Sequence, residues 1–249
     1  MKKLVGKVAV VTGASKGIGA GIARAFGAEG ASVVVNYSGD RDGAQRTVDA
    51  IETAGAKAIA VQANIASEVD VQRLFAETRK TFGKLDVLVN NAGVFGFGAL
   101  ETITVVDYRK YYDTNVLGTL LVTREALPLF GSEGGSIINL TSIVSKNPPP
   151  GAVLYTGTKA AIDTMTVALS RELAVKKIRV NAIAPGSTDT EGTHAAGIAG
   201  GEFEKMLVAR TPLGRIGHPE DIAKVAVFLA SEDSAWVTGE RINASGGDR

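Results

Sequence analysis

The chain has 249 residues, 45% of them hydrophobic and 21% charged, with a net charge of +1. That is ordinary globular material with enough apolar residues for a sizeable core, and its near-neutral balance gives no reason to expect a nucleic acid or an anionic membrane as partner. The absence of cysteine excludes disulfides, thiolate metal sites and a cysteine nucleophile.

Met1-Lys2-Lys3 resembles the basic start of a signal peptide, but the apolar run that follows, Val8-Ala9-Val10-Val11, is too short for one and reads as a buried strand. No segment approaches the length of a membrane span, so the expected location is the cytoplasm. β-Branched runs predict strands over Lys7 to Thr12, Ser32 to Asn36, Lys57 to Gln62, Val87 to Val89, Ser136 to Leu140 and Arg179 to Ile183, with a last short one at Arg241-Ile242-Asn243. Helical spacing falls between them, over Gly17 to Glu29, Asp40 to Ala54, Glu68 to Phe82, Val105 to Phe130 and Leu154 to Lys176, and again over Glu220 to Leu229 with Pro219 at its start. The alternation predicts an α/β fold over residues 1–249: a single-domain, doubly wound parallel sheet of the Rossmann type, with helices on both faces. Pro148-Pro149-Pro150 reads as a rigid loop. Residues 185–201, rich in Gly, Thr and Ala, have no clear period, and a substrate lid is expected over 186–210.

Two motifs carry chemistry. Thr12-Gly13-Ala14-Ser15-Lys16-Gly17-Ile18-Gly19 stands between the first strand and the first helix. Glycines there allow positive φ and close backbone approach, and the helix N-terminus offers N–H groups to a pyrophosphate. The second strand ends Val35-Asn36-Tyr37-Ser38 without the acidic residue that would accept hydrogen bonds from the ribose hydroxyls of NAD. Asn36 and Ser38 would tolerate a 2′-phosphate and Lys16 would add positive charge, which favours NADP(H); a merely solvated Lys16 is the alternative. The other motif is Tyr155-Thr156-Gly157-Thr158-Lys159, preceded by Ser142 after an apolar run. A tyrosine and a lysine four apart share a helix face, and a phenol beside an ammonium is a ready proton donor.

Together with Asn90-Asn91-Ala92-Gly93, Asn115 and Pro185-Gly186, these motifs resemble the short-chain dehydrogenase/reductase family over essentially the whole chain. Within it the chain looks most like bacterial NADPH-dependent 3-oxoacyl-[acyl-carrier-protein] reductases and related carbonyl reductases. The resemblance implies a cofactor site of Gly13, Ser15, Lys16, Gly17, Ile18, Gly19, Asn36, Tyr37, Ser38, Asn64, Ile65, Asn91, Ala92, Gly93, Tyr155, Lys159, Pro185, Gly186, Thr188 and Thr190. Asn64 stands where the family usually has an Asp near the adenine. The resemblance also implies that Tyr155 donates a proton to a carbonyl oxygen as hydride reaches its carbon. Lys159 would lower the phenol from its free value of about 10 and bond the nicotinamide ribose. Ser142 would hydrogen-bond the substrate oxygen, and Asn115 would hold a water between Lys159 and solvent. Each has a plainer alternative: a surface tyrosine, a solvated lysine, a turn serine, an asparagine bending its helix.

The expected pocket comprises Phe95, Ile143, Val144, Pro149, Ser187 and the lid as far as Met206, mostly apolar and suited to a ketone, keto ester or acyl chain. Phe130 to Gly135 carries an acid and no base, where carrier-protein reductases tend to be basic; Arg124 and Arg171 remain as docking candidates. Three readings stay open: a carbonyl reductase of small or medium ketones, a 3-oxoacyl-[acyl-carrier-protein] reductase, and a cofactor-binding regulatory protein without turnover. The resemblance implies a homotetramer built on the 105–130 and 154–176 helices, with Trp236 to Gly239 at a second interface. His194 and His218 read as structural or solvent-facing, with no metal-ligand spacing. Ser245-Gly246-Gly247-Asp248-Arg249 departs from the family's common Asp-Gly-Gly ending.

Overall fold

The structure, a computed structural model, describes residues 1–195 and 201–248. Its strands are β1 (Val8–Val11), β2 (Ser32–Tyr37), β3 (Ala58–Gln62), β4 (Val87–Asn90), β5 (Gly135–Leu140), β6 (Ile178–Pro185) and β7 (Arg241–Ala244). They form one sheet in the order β3-β2-β1-β4-β5-β6-β7, and each pairing is parallel. The chain winds outward in one direction from β1 to β3 and in the other from β4 to β7, so the crevice at the carboxyl ends of β1 and β4 is the switch point where such sheets bind ligands.

Side-chain alternation along the strands divides the core in two. Ala9, Val11, Val33 and Val35 meet Phe26 of α1 (Gly17–Ala28), Ile51 of α2 (Arg41–Thr53), and Ile222 and Leu229 of α9 (Pro219–Ala230). Val10, Val34, Leu88 and Ile137 face the other way, against Leu74 of α3 (Glu68–Phe82), Val122 of α5 (Gly118–Ala126) and Leu173 of α6 (Val153–Leu173). Burial on both faces explains the nearly continuous apolar strands. Local chemistry sets the ends. Asp40 accepts a 2.9 Å hydrogen bond from Gly43 N at the start of α2, and Gly83 stops α3 with φ +75°.

Two expectations change. The helix expected over Val105 to Phe130 is divided: α4 (Val105–Tyr112) passes into a π-helical turn, Asp113–Leu117, and then into α5, with a 3₁₀ turn at Leu127–Leu129. Apolar periodicity does not register such a turn, because both flanking segments keep helical spacing. The stretch without a clear period contains α7 (Glu191–Ala195), and α8 (Glu202–Arg210) follows it. Residues 196–200 of the expected lid lie outside the described residues.

Candidate active site

At the end of β1, Thr12 Oγ1 accepts from the backbone nitrogens of Asn91 and Ala92, both at 3.0 Å, and donates to Val89 O at 3.2 Å. Asn91 Nδ2 donates to Thr12 O and Gly13 O at 2.8 and 3.1 Å. The glycine turn is thereby pinned to β4. Gly13 has φ +61°, and a Cβ on it would sit 2.8 Å from the Ala92 Cα, so only glycine fits. Helix α1 begins without a side-chain cap or an acidic residue in its first turn. Its Gly17 N–H donates to Glu191 Oε2 at 3.0 Å, so an oxygen anion already rests where a phosphate oxygen would be received. Ser15 and Ile18 are part-exposed beside this seat, Gly19 is buried in the turn, and Lys16 is exposed at its rim.

Asn36 is placed differently from expectation. It is 1% exposed; its Oδ1 accepts from Gly13 N at 3.2 Å, and its Nδ2 donates to Val61 O and Ala63 O at 3.3 and 3.1 Å. The amide braces the turn from beneath and is not free for a nucleotide. Tyr37 ends the strand 8% exposed, which leaves Ser38 as the exposed residue there. Asn64 is exposed, and its Oδ1 accepts from Ala66 N at 3.1 Å. The Ile65 side chain packs under Gly118, so only its backbone is offered to a ligand. Across the crevice, Gly186 N donates to Ala244 O at 3.0 Å, extending the pairing past Pro185. Thr188 Oγ1 donates to Gly186 O at 3.0 Å. Thr190 stands against Gly17 and hydrogen-bonds Thr193 at 2.9 Å through its backbone nitrogen.

Ser142 follows β5 in extended backbone, and its Oγ accepts from Val144 N at 3.4 Å. Tyr155 and Lys159 rise from α6 on one face, beside Ser142. Gly157 between them gives room to α4, since a Cβ there would come 2.7 Å from the Tyr112 hydroxyl. Lys159 is 6% exposed and its Nζ donates to Leu140 O at 2.8 Å. That Nζ stands 5.7 Å from the centre of the Tyr155 ring. Burial pushes the Tyr155 phenol up to about 12, with a Ser142 hydrogen bond opposing and Tyr111 adding to the rise. Burial also brings Lys159 down to about 8, against the pull of Asp163. The net shift of the phenol is therefore upward, not the lowering expected from Lys159. The ammonium is spent on a carbonyl and lies over the ring, and desolvation outweighs its field.

Asn115, 1% exposed, sits in the π-helical turn. Its Oδ1 accepts from Val94 N at 2.8 Å; its Nδ2 donates to Val94 O at 2.9 Å and Thr158 Oγ1 at 3.0 Å. The side chain ties the loop after Gly93 to α6, so the water expected there would have to meet the Asn115 backbone carbonyl, which also accepts from Thr119 Oγ1 at 2.7 Å. Gly93 lies between Asn115 and Lys159.

Ser142, Tyr155 and Lys159 converge on one cleft of about 310 Å³ that also reaches Ile18, Asn91 and Gly93; Asn115 stands outside its lining. Phe95, Ile143, Val144, Pro149 and Ser187 line it as expected. Met206 does not: it is 47% exposed, and α8 turns Phe203, Leu207 and Arg210 inward instead. That i, i+4, i+7 spacing was a readable signal. Phe97, two residues beyond Phe95 in the same glycine-rich loop, also lines the cleft. So does Asp248, which no local pattern marks; it is 6% exposed and lies 3.2 Å from Arg210 Nη2.

Arg124 is engaged by Glu68 at 2.5 Å and by Glu125 at 2.9 Å. His194 contacts Asp189 at 2.7 Å, and His218 N donates to Asp221 Oδ2 at the start of α9. Among the described residues no group of three His, Asp or Glu side chains could hold a metal, and no helix is long and apolar enough to cross a membrane.

A family model described as enoyl-(acyl carrier protein) reductase matches residues 13–248. An oxidoreductase of Methylorubrum extorquens, described as uncharacterized, is 56% identical over 249 residues, with all of both chains covered. A crystal structure of a short chain dehydrogenase from Burkholderia cenocepacia in complex with NADP superposes with a TM-score of 0.93 at 34% identity, covering 99% of each chain. The angucycline C-6 ketoreductase LanV with bound NADP gives a TM-score of 0.93 at 37% identity, covering 99% of this chain and 96% of its own.

Proposed function

The chain belongs to the short-chain dehydrogenase/reductase family, and on that premise we propose that it is an NADPH-dependent carbonyl reductase acting on a ketone. One observation carries the reading: Ser142, Tyr155 and Lys159 meet in a cleft that reaches Ile18 in the first turn of α1. The NADP bound by two similar structures supports the cofactor.

The α1 N-terminus would hold the pyrophosphate, Ser38 and Lys16 the adenosine end, and Thr188, Thr190 and Lys159 the nicotinamide end. The chemistry that NADPH supplies when bound is a hydride for the carbonyl carbon. Ser142 Oγ hydrogen-bonds the carbonyl oxygen as negative charge grows there. Tyr155 gives its proton to that oxygen. A phenol raised to about 12 is fully protonated near neutrality, which suits the acid role in reduction. Lys159 sets its charge beside the phenol and stabilises the phenolate left after transfer. The apolar walls from Phe95, Phe97 and Phe203 favour a hydrophobic ketone.

A 3-oxoacyl-[acyl-carrier-protein] substrate is less well supported, since Arg124 is neutralised by two carboxylates while Arg171 remains exposed. We further propose a homotetramer, because Val105, Val106, Tyr108, Leu120 and Val167 leave apolar surface exposed on α4, α5 and α6, and Trp236 is wholly exposed. The deciding experiment is a steady-state screen of free ketones, keto esters and acetoacetyl carrier protein with NADPH and with NADH. NADPH-dependent turnover of free ketones bears the reading out. A strong preference for carrier-bound substrate replaces it with the second, and NADPH binding without turnover across the panel leaves a regulatory binding protein.

A further inference from the structure

Behind Ser142 lies an ion pair between a buried carboxylate and a partly buried guanidinium that the chemistry of reduction does not itself require. Asp163 follows Lys159 along α6 as Lys159 follows Tyr155, so the three side chains rise in a row on one helix face. Asp163 is 9% exposed. Its Oδ2 accepts a 2.5 Å hydrogen bond from Ser145 Oγ and lies 3.2 Å from Arg241 Nε on β7. The same guanidinium donates through Nη2 to Ser142 O at 2.9 Å and to Ser145 Oγ at 3.2 Å, and through Nη1 to the Asn243 side chain. The guanidinium thus hydrogen-bonds the last strand and the turn that carries Ser142, and reaches the helix of Tyr155 through the ion pair alone, with Arg241 Nε making no hydrogen bond.

A largely buried arginine–carboxylate pair adds little net stability, because desolvation offsets the attraction; what it supplies is fixed geometry. Ser142 needs that geometry. Its own turn offers the hydroxyl only a 3.4 Å contact from Val144 N, and the residue must keep its distance from a phenol on another element. Resting on the carbonyl-reductase reading, we infer that Arg241 and Asp163 are positioning residues, clamping the Ser142 turn against the Tyr155–Lys159 face.

The pair is also electrostatically asymmetric. The groups facing Asp163 are Arg241 from β7, Ser145 from the turn, and Lys159 on its own helix; Tyr111 of α4 faces Tyr155. The carboxylate supports the Lys159 cation and the guanidinium opposes it. Removing one charge leaves the other unbalanced, so the two single variants move the Lys159 titration in opposite directions.

The test uses Arg241→Gln, Arg241→Lys and Asp163→Asn in the full chain, with a ketone that the wild type reduces. Arg241→Gln is expected to lower kcat by about tenfold to a hundredfold, with NADPH affinity by fluorescence titration unchanged and partial recovery in Arg241→Lys. The alkaline limb of the rate should move to lower pH in Asp163→Asn and to higher pH in Arg241→Gln. A kcat within about twofold of wild type in folded Arg241→Gln, or limbs that do not part, overturns the inference. If Arg241→Gln fails to fold, Arg241→Lys and Asp163→Asn make the same comparison of rate and limb. If the wild type reduces no ketone, the functional reading fails by itself. The crystal structures of Arg241→Lys and Asp163→Asn then decide the inference: a Ser142 Oγ displaced from the Tyr155 hydroxyl supports it, and an unmoved one sinks it.

Discussion

The carboxylate of Glu191 and the amide of Gly17 are hydrogen-bonded at 3.0 Å, so an acidic side chain from α7 occupies the N-terminus of α1. Cofactor phosphate and Glu191 compete for the same partial positive charge. Glu191→Gln should therefore tighten NADPH binding by about two- to tenfold at low salt, with the gain shrinking as ionic strength rises. Fluorescence titration at two salt concentrations checks it, and unchanged affinity refutes the competition.

Tyr155→Phe removes the proton donor while leaving the ring beside Phe95, 6.2 Å between centroids. Reduction should fall by at least about a hundredfold, with NADPH affinity nearly unchanged. Retained turnover would refute the proton-donor role.

The pH dependence of reduction follows from two groups. Tyr155, pushed up to about 12, keeps its proton throughout the working range. Lys159, brought down to about 8, is cationic only below that value. The rate should be level below about pH 8 and decline above it as Lys159 deprotonates. Stability runs the other way. Between about 8 and the ordinary lysine value of 10.5 the unfolded chain binds the proton that the folded chain has lost. This group's contribution to stability therefore rises with pH across that window. Comparing the melting temperature of wild type with that of Lys159→Met from neutral to alkaline pH measures the difference.

Cofactor preference should turn on Ser38 and not on Asn36. Ser38→Asp is expected to weaken NADPH relative to NADH, by charge repulsion of the 2′-phosphate. Asn36→Asp instead removes the donor serving Val61 O and Ala63 O and buries a charge, at a cost of roughly 2 to 4 kcal/mol. The paired readouts are the ratio of kcat/KM for the two cofactors and the denaturation midpoint. A folded Asn36→Asp enzyme with switched preference would reverse this assignment.

The glycine turn, Ser142, Tyr155 and Lys159 were legible because each is a local pattern placed by a strand or a helix, and the parallel sheet brings strand ends to one edge whatever the loops do. Asn36 was misread because end-of-strand position does not reveal orientation: β2 is covered on both faces, and its last residues divide between core and crevice. The π-helical turn was invisible for a related reason, since apolar spacing is satisfied on both sides of it. Arg210 with Asp248, and Asp163 with Arg241, join residues far apart in the chain, and no spacing rule reaches across the sheet.

The π-helical turn, Asp113–Leu117, has a consequence for how this protein could change. It wraps one more residue than an α-turn, so α4 and α5 are out of phase by about one residue's rotation, roughly 100°. Losing a residue there would mend the helix into an ordinary one and leave both halves their apolar faces. Asn115 would then swing away from Val94 and Thr158, and the loop carrying Gly93 would lose its tether to α6. A deletion benign to folding would thus disable the site, which makes this turn a place where the chain can lose its chemistry while keeping its architecture.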